Sequence, residues 1–156
     1  MIKKILAFIY RNDQVDRSTT KPVKQRSIVE DEVSESDLTD EEQVKYAKLV
    51  QLVQMACRIA EGSLEGMDGS GSEDDIYESE RFEKFAQSAL SQSEEIQDDF
   101  YKSSALHLIA DLLSKAGQYD RASKLIEQIA VEFIQEKATE FLTQQKSQST
   151  NNDQAE

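Results

Sequence analysis

Residues 103–136, SSALHLIADLLSKAGQYDRASKLIEQIAVEFIQE, decide the fold of this chain. On each side of Gly117, apolar residues recur at three- and four-residue spacing, which is the spacing of one face of a helix. They are Leu106, Ile109, Ala110 and Leu113 before the glycine, and Ala122, Leu125, Ile126 and Ile129 after it. Glycine readily adopts the left-handed conformation that ends many helices. The stretch therefore predicts two helices joined by a tight turn at residues 116–120.

The same pattern returns at a fixed distance along the chain. A shift of 33 residues places four small or apolar residues on identical ones and Ile109 on Leu142. The identical pairs are Ala89 and Ala122, Ile96 and Ile129, Phe100 and Phe133, and Ala105 and Ala138. A period of about 33–34 residues in helical sequence is typical of stacked helix pairs, which bury their apolar faces only against their neighbours.

On these residues, segment 103–136 resembles one tetratricopeptide repeat. The spaced apolar residues of its first helix, the turn AGQYD at 116–120, and Ala122 with Ile126 in its second helix fit the family's pattern. Two positions depart from it: Ile129 stands where the family usually has a small residue, and Ile134 where it has a proline. Without that proline the fourth helix is expected to run on to about residue 142. The resemblance implies an all-α fold, a short stack of antiparallel helical hairpins with about four helices.

Local signals predict the other helices and the domain limits. Thr39 followed by Glu42 forms a capping-box pattern ahead of an apolar run, so a first helix is expected from Asp40 to about Glu61. That helix is apolar around most of its circumference, which predicts a central position. A glycine-rich loop is expected at 62–75, and further helices at 76–93 and 98–116. The domains are then a short apolar segment (1–10), a flexible linker (11–38), the helical repeat domain (39–142) and a disordered tail (143–156).

The charge of the chain restricts its partners. Its 31 acidic and 18 basic residues give a net charge of −13. Because such a protein repels phosphate backbones, nucleic acid is not an expected partner. The single cysteine, Cys57, allows no intrachain disulfide, and a cytoplasmic location is the expectation.

The first residues of the chain combine basic and apolar side chains, and they leave three interpretations open. The residues concerned are Ile2, Lys3, Lys4, Ile5, Leu6, Phe8 and Ile9. They could dock on the helical body, lie on an anionic membrane surface as a weak peripheral attachment, or contact a partner protein.

The resemblance implies that the first helix of each pair lines a concave groove that binds another protein. Carried over to this sequence, the groove residues are Ser104, His107, Asp111, Ser114 and Lys115 in the clearer repeat, and Gln51, Gln54, Arg58 and Glu61 in the looser first pair. The same residues form the polar stripes of their helices, and a simple solvated face would have the same pattern.

Reactive chemistry has little support in the sequence. His107 with Asp111 is an i, i+4 pair, but one histidine and one cysteine do not supply the usual zinc ligands. The acidic, glycine-rich segment from Asp68 lacks the glycine and the final glutamate of a calcium loop. The sequence therefore predicts a protein that is not an enzyme and needs no cofactor or metal. We expect an adaptor, scaffold or chaperone-like protein that binds a peptide or helix; the alternatives are a peripheral membrane protein held by residues 1–10 and a self-assembly module that forms a homodimer.

Overall fold

The computed structural model describes residues 38–152, with side chains up to residue 149. The predicted all-α fold is confirmed for this part of the chain, which contains five helices and no strand. The helices are α1 (Asp40–Gly66), α2 (Glu73–Glu94), α3 (Asp99–Lys115), α4 (Tyr119–Ile126) and α5 (Glu132–Asn152). The apolar segment 1–10 and nearly all of the predicted linker 11–38 lie outside the described residues.

Helix α1 begins as predicted and ends later than predicted. The Thr39 hydroxyl accepts a hydrogen bond from the Glu42 amide at 3.3 Å, and the Glu42 carboxylate accepts one from the Thr39 amide at 3.0 Å. At the other end the helix continues past Glu61 to Gly66 because Ser63 and Leu64 pack inward, Ser63 with no exposed surface. A methyl group at Gly66 would meet Cγ of Glu78 at 3.3 Å, so the glycine lets the end of α1 approach α2 closely.

The glycine-rich loop is shorter than predicted and is organised by one carboxylate. Only residues 67–72 separate α1 from α2. The buried Asp75 accepts hydrogen bonds from the Asp68 amide at 3.0 Å and from the Gly71 amide at 2.8 Å. Its own amide donates to the Ser72 hydroxyl at 3.2 Å, which caps α2. The sequence predicted a flexible loop over 62–75, but these bonds hold the connection in one arrangement.

The predicted fourth helix is two helices. Helix α4 ends at Ile126, residues 127–131 connect, and α5 begins at Glu132. The Ile129 amide donates to the Ile126 carbonyl at 3.1 Å, and this turn buries the Ile129 side chain in the core. The prediction of about four helices was therefore wrong. Helix α5 also continues to Asn152, where the sequence predicted a disordered tail from residue 143.

The helices lie in two layers. In the first, α3 lies between α1 and α5 and contacts both; in the second, α2 contacts α1 and α3, and α4 contacts α3 and α5. Helices α1 and α3 run parallel. The Tyr46 and Tyr101 rings lie 6.0 Å apart near the helix starts, and Glu61 and Lys115 pair near the helix ends. The prediction that the first helix is central was wrong: α3 contacts all four other helices, and α1 lies at one side.

The core repeats its pattern along the chain. Helix α5 begins 33 residues after α3. Four of the residue pairs related by the 33-residue shift are buried in both members: Ala89 and Ala122, Ile96 and Ile129, Ala105 and Ala138, and Ile109 and Leu142. The alanines have no more than 1% of their surface exposed, which allows neighbouring helix backbones to approach.

Candidate functional site

Helix α3 reaches solvent along a single stripe. Beyond its first turn, the residues of α3 that are not buried are His107, Leu108, Asp111 and Lys115. Their three- and four-residue spacing places them on one side of the helix. Since the other faces of α3 beyond its first turn are buried, a partner that contacts the body of this central helix contacts it along this stripe.

His107 and Asp111 form a pair within this stripe. Nδ1 of His107 lies 3.5 Å from Oδ1 of Asp111, one helical turn away, and both side chains are partly buried. The His107 side chain is 15% exposed and the Asp111 side chain 27% exposed, so each is open to solvent over only part of its surface. Both were among the predicted groove residues, and the structure places them on the stripe of α3 that is not buried.

Ser104 and Ser114 are placed differently from the groove predicted for them. Their exposed fractions are 9% and 2%, and both count as buried. The Ser104 hydroxyl donates to the Phe100 carbonyl at 2.9 Å, and the Ser114 hydroxyl donates to the Ala110 carbonyl at 2.7 Å. Because each hydroxyl donates its hydrogen to a carbonyl of its own helix, neither can donate a hydrogen bond to a partner. The spacing of a serine along a helix does not show whether its side chain is buried and bonded to that helix or exposed to solvent.

The predicted residues of α1 meet those of α3. Glu61 accepts a hydrogen bond from the Lys115 ammonium group, so the two helices are joined at the surface. Gln51 and Arg58 are exposed on α1, and Gln54 is half-buried. We call the combined surface the α1–α3 face. It consists of Gln51, Gln54, Arg58 and Glu61 from α1 with His107, Leu108, Asp111 and Lys115 from α3.

Two of the cations on the α1–α3 face differ in their surroundings. Lys115 is engaged by Glu61, in a pair whose two side chains are each about two-fifths exposed. Such a pair contributes at most about 1 kcal/mol to stability. Arg58 forms no ion pair within residues 38–152. Its guanidinium is therefore the group on this face best able to bind a carboxylate from outside.

Cys57 lies beneath the same face and is buried. Burial is the main reason that the pKa of its thiol rises from an ordinary value of 9.0 to about 12, and the negative charges of Asp111 and Glu61 add to the effect. A thiol with this pKa is protonated at neutral pH, and the thiolate is the nucleophile in cysteine chemistry. The structure therefore gives Cys57 a packing role between α1 and α3.

The acidic loop region does not form an open cation site. Asp75 directs its oxygens to backbone amides, and Asp68 accepts from the Ser70 amide at 2.9 Å, so that hydrogen bonds from Ser70 lower the pKa of Asp68. Within the described residues, no three His, Cys, Asp or Glu side chains are grouped as metal ligands would be. None of the helices in this part of the chain combines the length and apolar composition that crossing a bilayer requires.

One surface was not found from the sequence. Val44, Leu52 and Met55 of α1 are between 46% and 59% exposed. The apolar circumference of α1 predicted burial on several sides, whereas the packed helices cover it only on the sides of α2 and α3. Sequence pattern alone does not distinguish an apolar residue in the core from one on a docking surface.

The seven residues Ile2, Lys3, Lys4, Ile5, Leu6, Phe8 and Ile9 lie outside the described residues, so the three interpretations of this segment remain predictions. Comparison of the chain with protein-family models, with curated proteins and with solved structures finds no match in any of the three.

Proposed function

We propose that this protein is a non-catalytic interaction module, a short tetratricopeptide-like stack that binds a peptide or helix of another protein on its α1–α3 face. The role is that of an adaptor, scaffold or chaperone-like protein. The observation that carries the proposal is the single stripe of α3 that is not buried beyond its first turn, which lies beside the exposed or half-buried polar residues of α1.

The packing of the helices supports the tetratricopeptide-like part of the proposal. Helices α1, α3 and α5 take the place of the first helices of successive pairs, with α2 and α4 in the second layer. The 33-residue interval between the starts of α3 and α5 agrees with the length of such a unit. Gly117, at a φ of +70°, closes the second pair where the family has its tight turn.

The composition of the α1–α3 face supports binding to a protein segment. It offers amide groups at Gln51 and Gln54, the unengaged Arg58, and one apolar side chain, Leu108. Amides bond to the backbone of an extended chain, and arginine bonds to carboxylates. The area is spread along two parallel helices, which suits an elongated ligand better than a compact small molecule.

The non-catalytic part of the proposal rests on the groups that catalysis would need. Cys57 is buried and its thiol has a raised pKa of about 12, while His107 is paired with Asp111. A nucleophile needs an adjacent base that activates it. The Cys57 thiol, which is buried and protonated at neutral pH, does not meet that requirement.

The experiment is affinity purification of the tagged full-length chain from its native cells, followed by quantitative mass spectrometry. The test variant is Arg58→Glu, chosen because Arg58 is exposed and has no ion pair to lose. The matched control is Lys84→Glu, which makes the same change of charge at an exposed position on the opposite layer. We expect Arg58→Glu to deplete partners that the control retains, with the helical circular dichroism of both variants unchanged.

A second variant, Asp111→Lys, tests the α3 side of the face. It should deplete the same partners as Arg58→Glu if one ligand covers both helices. Equal recovery of every partner by the wild type and by both test variants would remove this face from consideration.

The two alternative functions have their own readouts. If residues 1–10 attach the protein to membranes, the full chain should float with liposomes and a chain that begins at Lys21 should not. If the chain is a self-assembly module, light scattering should give the mass of a dimer.

A further inference from the structure

The two outer surfaces of the first layer have opposite character. On α5, the residues at three- and four-residue spacing that face away from the core are polar and exposed beyond the first turn: Glu136, Thr139, Glu140, Thr143 and Ser147. Phe133, at the start of the same stripe, is the one large apolar residue among them and is 46% exposed. On α1, the corresponding outward side carries Val44, Lys48, Leu52 and Met55, which are also all exposed. We call these four residues the α1 edge.

The polar surface of α5 is the expected end of a stack of helices. Stacked helix pairs remain soluble because their last helices carry a polar outer side. The α1 edge does not have a polar outer side. Leu52 and Met55 lie within one turn of each other, and Val44 lies about two turns before Leu52. The half-buried Ile59 continues the stripe. Three large, exposed apolar side chains on one side of a helix indicate a surface that another element covers.

The charge along α1 indicates what that element is. Between Gln43 and Ala60 the helix carries Lys45, Lys48 and Arg58 and no acidic residue, in a chain whose net charge is −13. The carboxylates of α1 are confined to its ends, at Asp40, Glu41, Glu42, Glu61 and Glu65. Neither Lys48 nor Arg58 forms an ion pair within the described residues. Lys48 is four residues from both Val44 and Leu52, so its ammonium group lies in the middle of the apolar stripe.

A second copy of the chain does not suit this edge. Two α1 edges brought together would place Lys48 and its neighbouring cations against the same cations of the other copy, and like charges across a contact oppose association. An anionic bilayer would attract the cations of α1 but would repel the rest of the acidic body. A helix with an apolar stripe and flanking carboxylates satisfies both the apolar and the basic groups.

We infer that the α1 edge is a docking site for an acidic amphipathic helix of a partner protein. The partner's apolar stripe covers Val44, Leu52 and Met55, and its flanking Asp or Glu side chains pair with Lys48 and the neighbouring cations of α1. The site adjoins the α1–α3 face and shares Arg58 with it, whereas Val44, Lys48, Leu52 and Met55 lie outside that face. Variants at these four residues therefore test the edge whether or not the α1–α3 face binds a ligand.

The probes are two synthetic helical peptides of about 20 residues, a length that spans about 30 Å. Both carry leucine at helical spacing along one side; one has glutamate on the flanks of this stripe and the other has lysine. Binding to the full-length chain is measured by fluorescence anisotropy. We expect the glutamate peptide to bind about tenfold more tightly than the lysine peptide, since two or three exposed ion pairs contribute on this scale.

Three variants locate the site. The double variant Leu52→Gln and Met55→Gln should weaken the glutamate peptide at least tenfold, and Lys48→Glu should remove most of the preference for glutamate over lysine. The matched control is Ile76→Gln, which also replaces an exposed large apolar residue, 57% exposed on α2, and should leave both affinities unchanged. Circular dichroism checks that each variant keeps its helices.

Several outcomes would overturn the inference. Equal affinity for the two peptides would remove the acidic partner, and no binding of either peptide at millimolar concentration would remove the site. A concentration-dependent dimer that the Leu52/Met55 double variant disperses would assign the edge to a second copy. Flotation with phosphatidylserine vesicles that the same variant abolishes would assign it to a membrane.

Discussion

The first and second helix pairs close in different ways. The first joins two long helices, α1 with 27 residues and α2 with 22, through the six-residue connection 67–72. The second joins α3 with 17 residues to α4 with eight through a turn of three residues, in which the Gln118 amide donates to the Leu113 carbonyl at 2.8 Å. In the first pair, the Asp75 carboxylate accepts hydrogen bonds from polar groups of the connection itself. In the second, the positive φ of Gly117 turns the chain so that the Gln118 amide reaches a carbonyl that the end of α3 leaves open.

This difference shows that the length and glycine content of a connection do not determine its order. The loop 67–72 contains Gly69 and Gly71, both with a positive φ, and yet three of its polar groups converge on one buried carboxylate. The first pair gains a defined loop from a residue inside its second helix. The second pair depends on one glycine and on α3, which supplies most of the contacts of the fold.

The largest expected effect tests whether α3 is the centre of the fold. Ile109 on α3 has no exposed surface, whereas Ile76 on α2 is 57% exposed. Ile109→Ala should destabilise the protein by about 3 kcal/mol, since truncation of a buried isoleucine leaves a cavity. Ile76→Ala should change the stability by less than about 0.5 kcal/mol. Urea unfolding followed by circular dichroism measures both, and similar losses for the two variants would contradict a fold centred on α3.

The next effect concerns Cys57, where the first pair packs on the second. At pH 8, a pKa of about 12 in place of 9.0 leaves far less thiolate, so a thiol reagent should modify the native protein at least a hundredfold more slowly than the urea-unfolded chain. As the pH rises through about 9 the unfolded chain loses the thiol proton and the folded one keeps it, so stability should decline between about pH 9 and 12. Cys57→Ala should remove that part of the decline. Equal labelling rates for native and unfolded protein would show that the contact between the pairs opens freely.

A smaller effect tests the loop of the first pair. Asp75→Ala removes the acceptor of the Asp68 and Gly71 amides and should destabilise the protein by about 2 kcal/mol. The control Asp74→Ala removes an exposed carboxylate in the same first turn, where only the interaction with the helix dipole is lost, about 0.5 kcal/mol. Hydrogen exchange should accelerate at the Asp68 and Gly71 amides in the first variant alone. Unchanged exchange there would mean that the loop is held by other contacts.

The smallest effect compares a glycine from each pair. Gly117→Ala should destabilise by about 1 kcal/mol because its φ is +70°, although a methyl group there would meet nothing within 4 Å. Gly62 lies inside α1, also with open space around it, and Gly62→Ala should stabilise by about 0.5 to 1 kcal/mol. Thermal unfolding gives the two signs directly. A shift in the same direction for both would contradict the assigned conformations.

The sequence predicted those features that depend on a few neighbouring residues. The capping box at Thr39 and Glu42 and the turn at Gly117 were both located correctly, because their hydrogen bonds connect residues within about five positions. The end of α1 and the limits of the loop were not located correctly. They depend on Ser63 and Asp75, which are buried against the rest of the first pair. No local pattern records that burial.

The break between α4 and α5 had a signal in the sequence. Ile129 is related to Ile96 by the 33-residue shift, and Ile96 was already expected to lie between two helices. The same 33-residue shift, applied to the connection that contains Ile96, predicts a connection at Ile129, which is where the structure has one. The absence of glycine and proline from residues 127–131 favoured a continuous helix instead.

The candidate site was predicted in part. His107, Asp111 and Lys115 lie on the stripe of α3 that is not buried, and Glu61 reaches Lys115 from α1. The burial of the two serines could not be predicted, because serine at helical spacing fits a buried helix as well as an exposed one. The α1 edge could not be predicted either, since the number of apolar residues in α1 does not reveal how many neighbours the helix has.

The acidic residues of the chain interact with the dipoles of its helices. Every described helix has an acidic residue in its first turn: Asp40, Glu41 and Glu42 in α1, Glu73, Asp74 and Asp75 in α2, Asp99 in α3, Asp120 in α4 and Glu132 in α5. A negative charge at this position interacts favourably with the positive end of the helix dipole. Part of the net charge of −13 is thus placed where a helix dipole stabilises it. The charge keeps the molecules apart in solution by mutual repulsion, and its placement reduces the loss of folding stability that repulsion within one molecule causes.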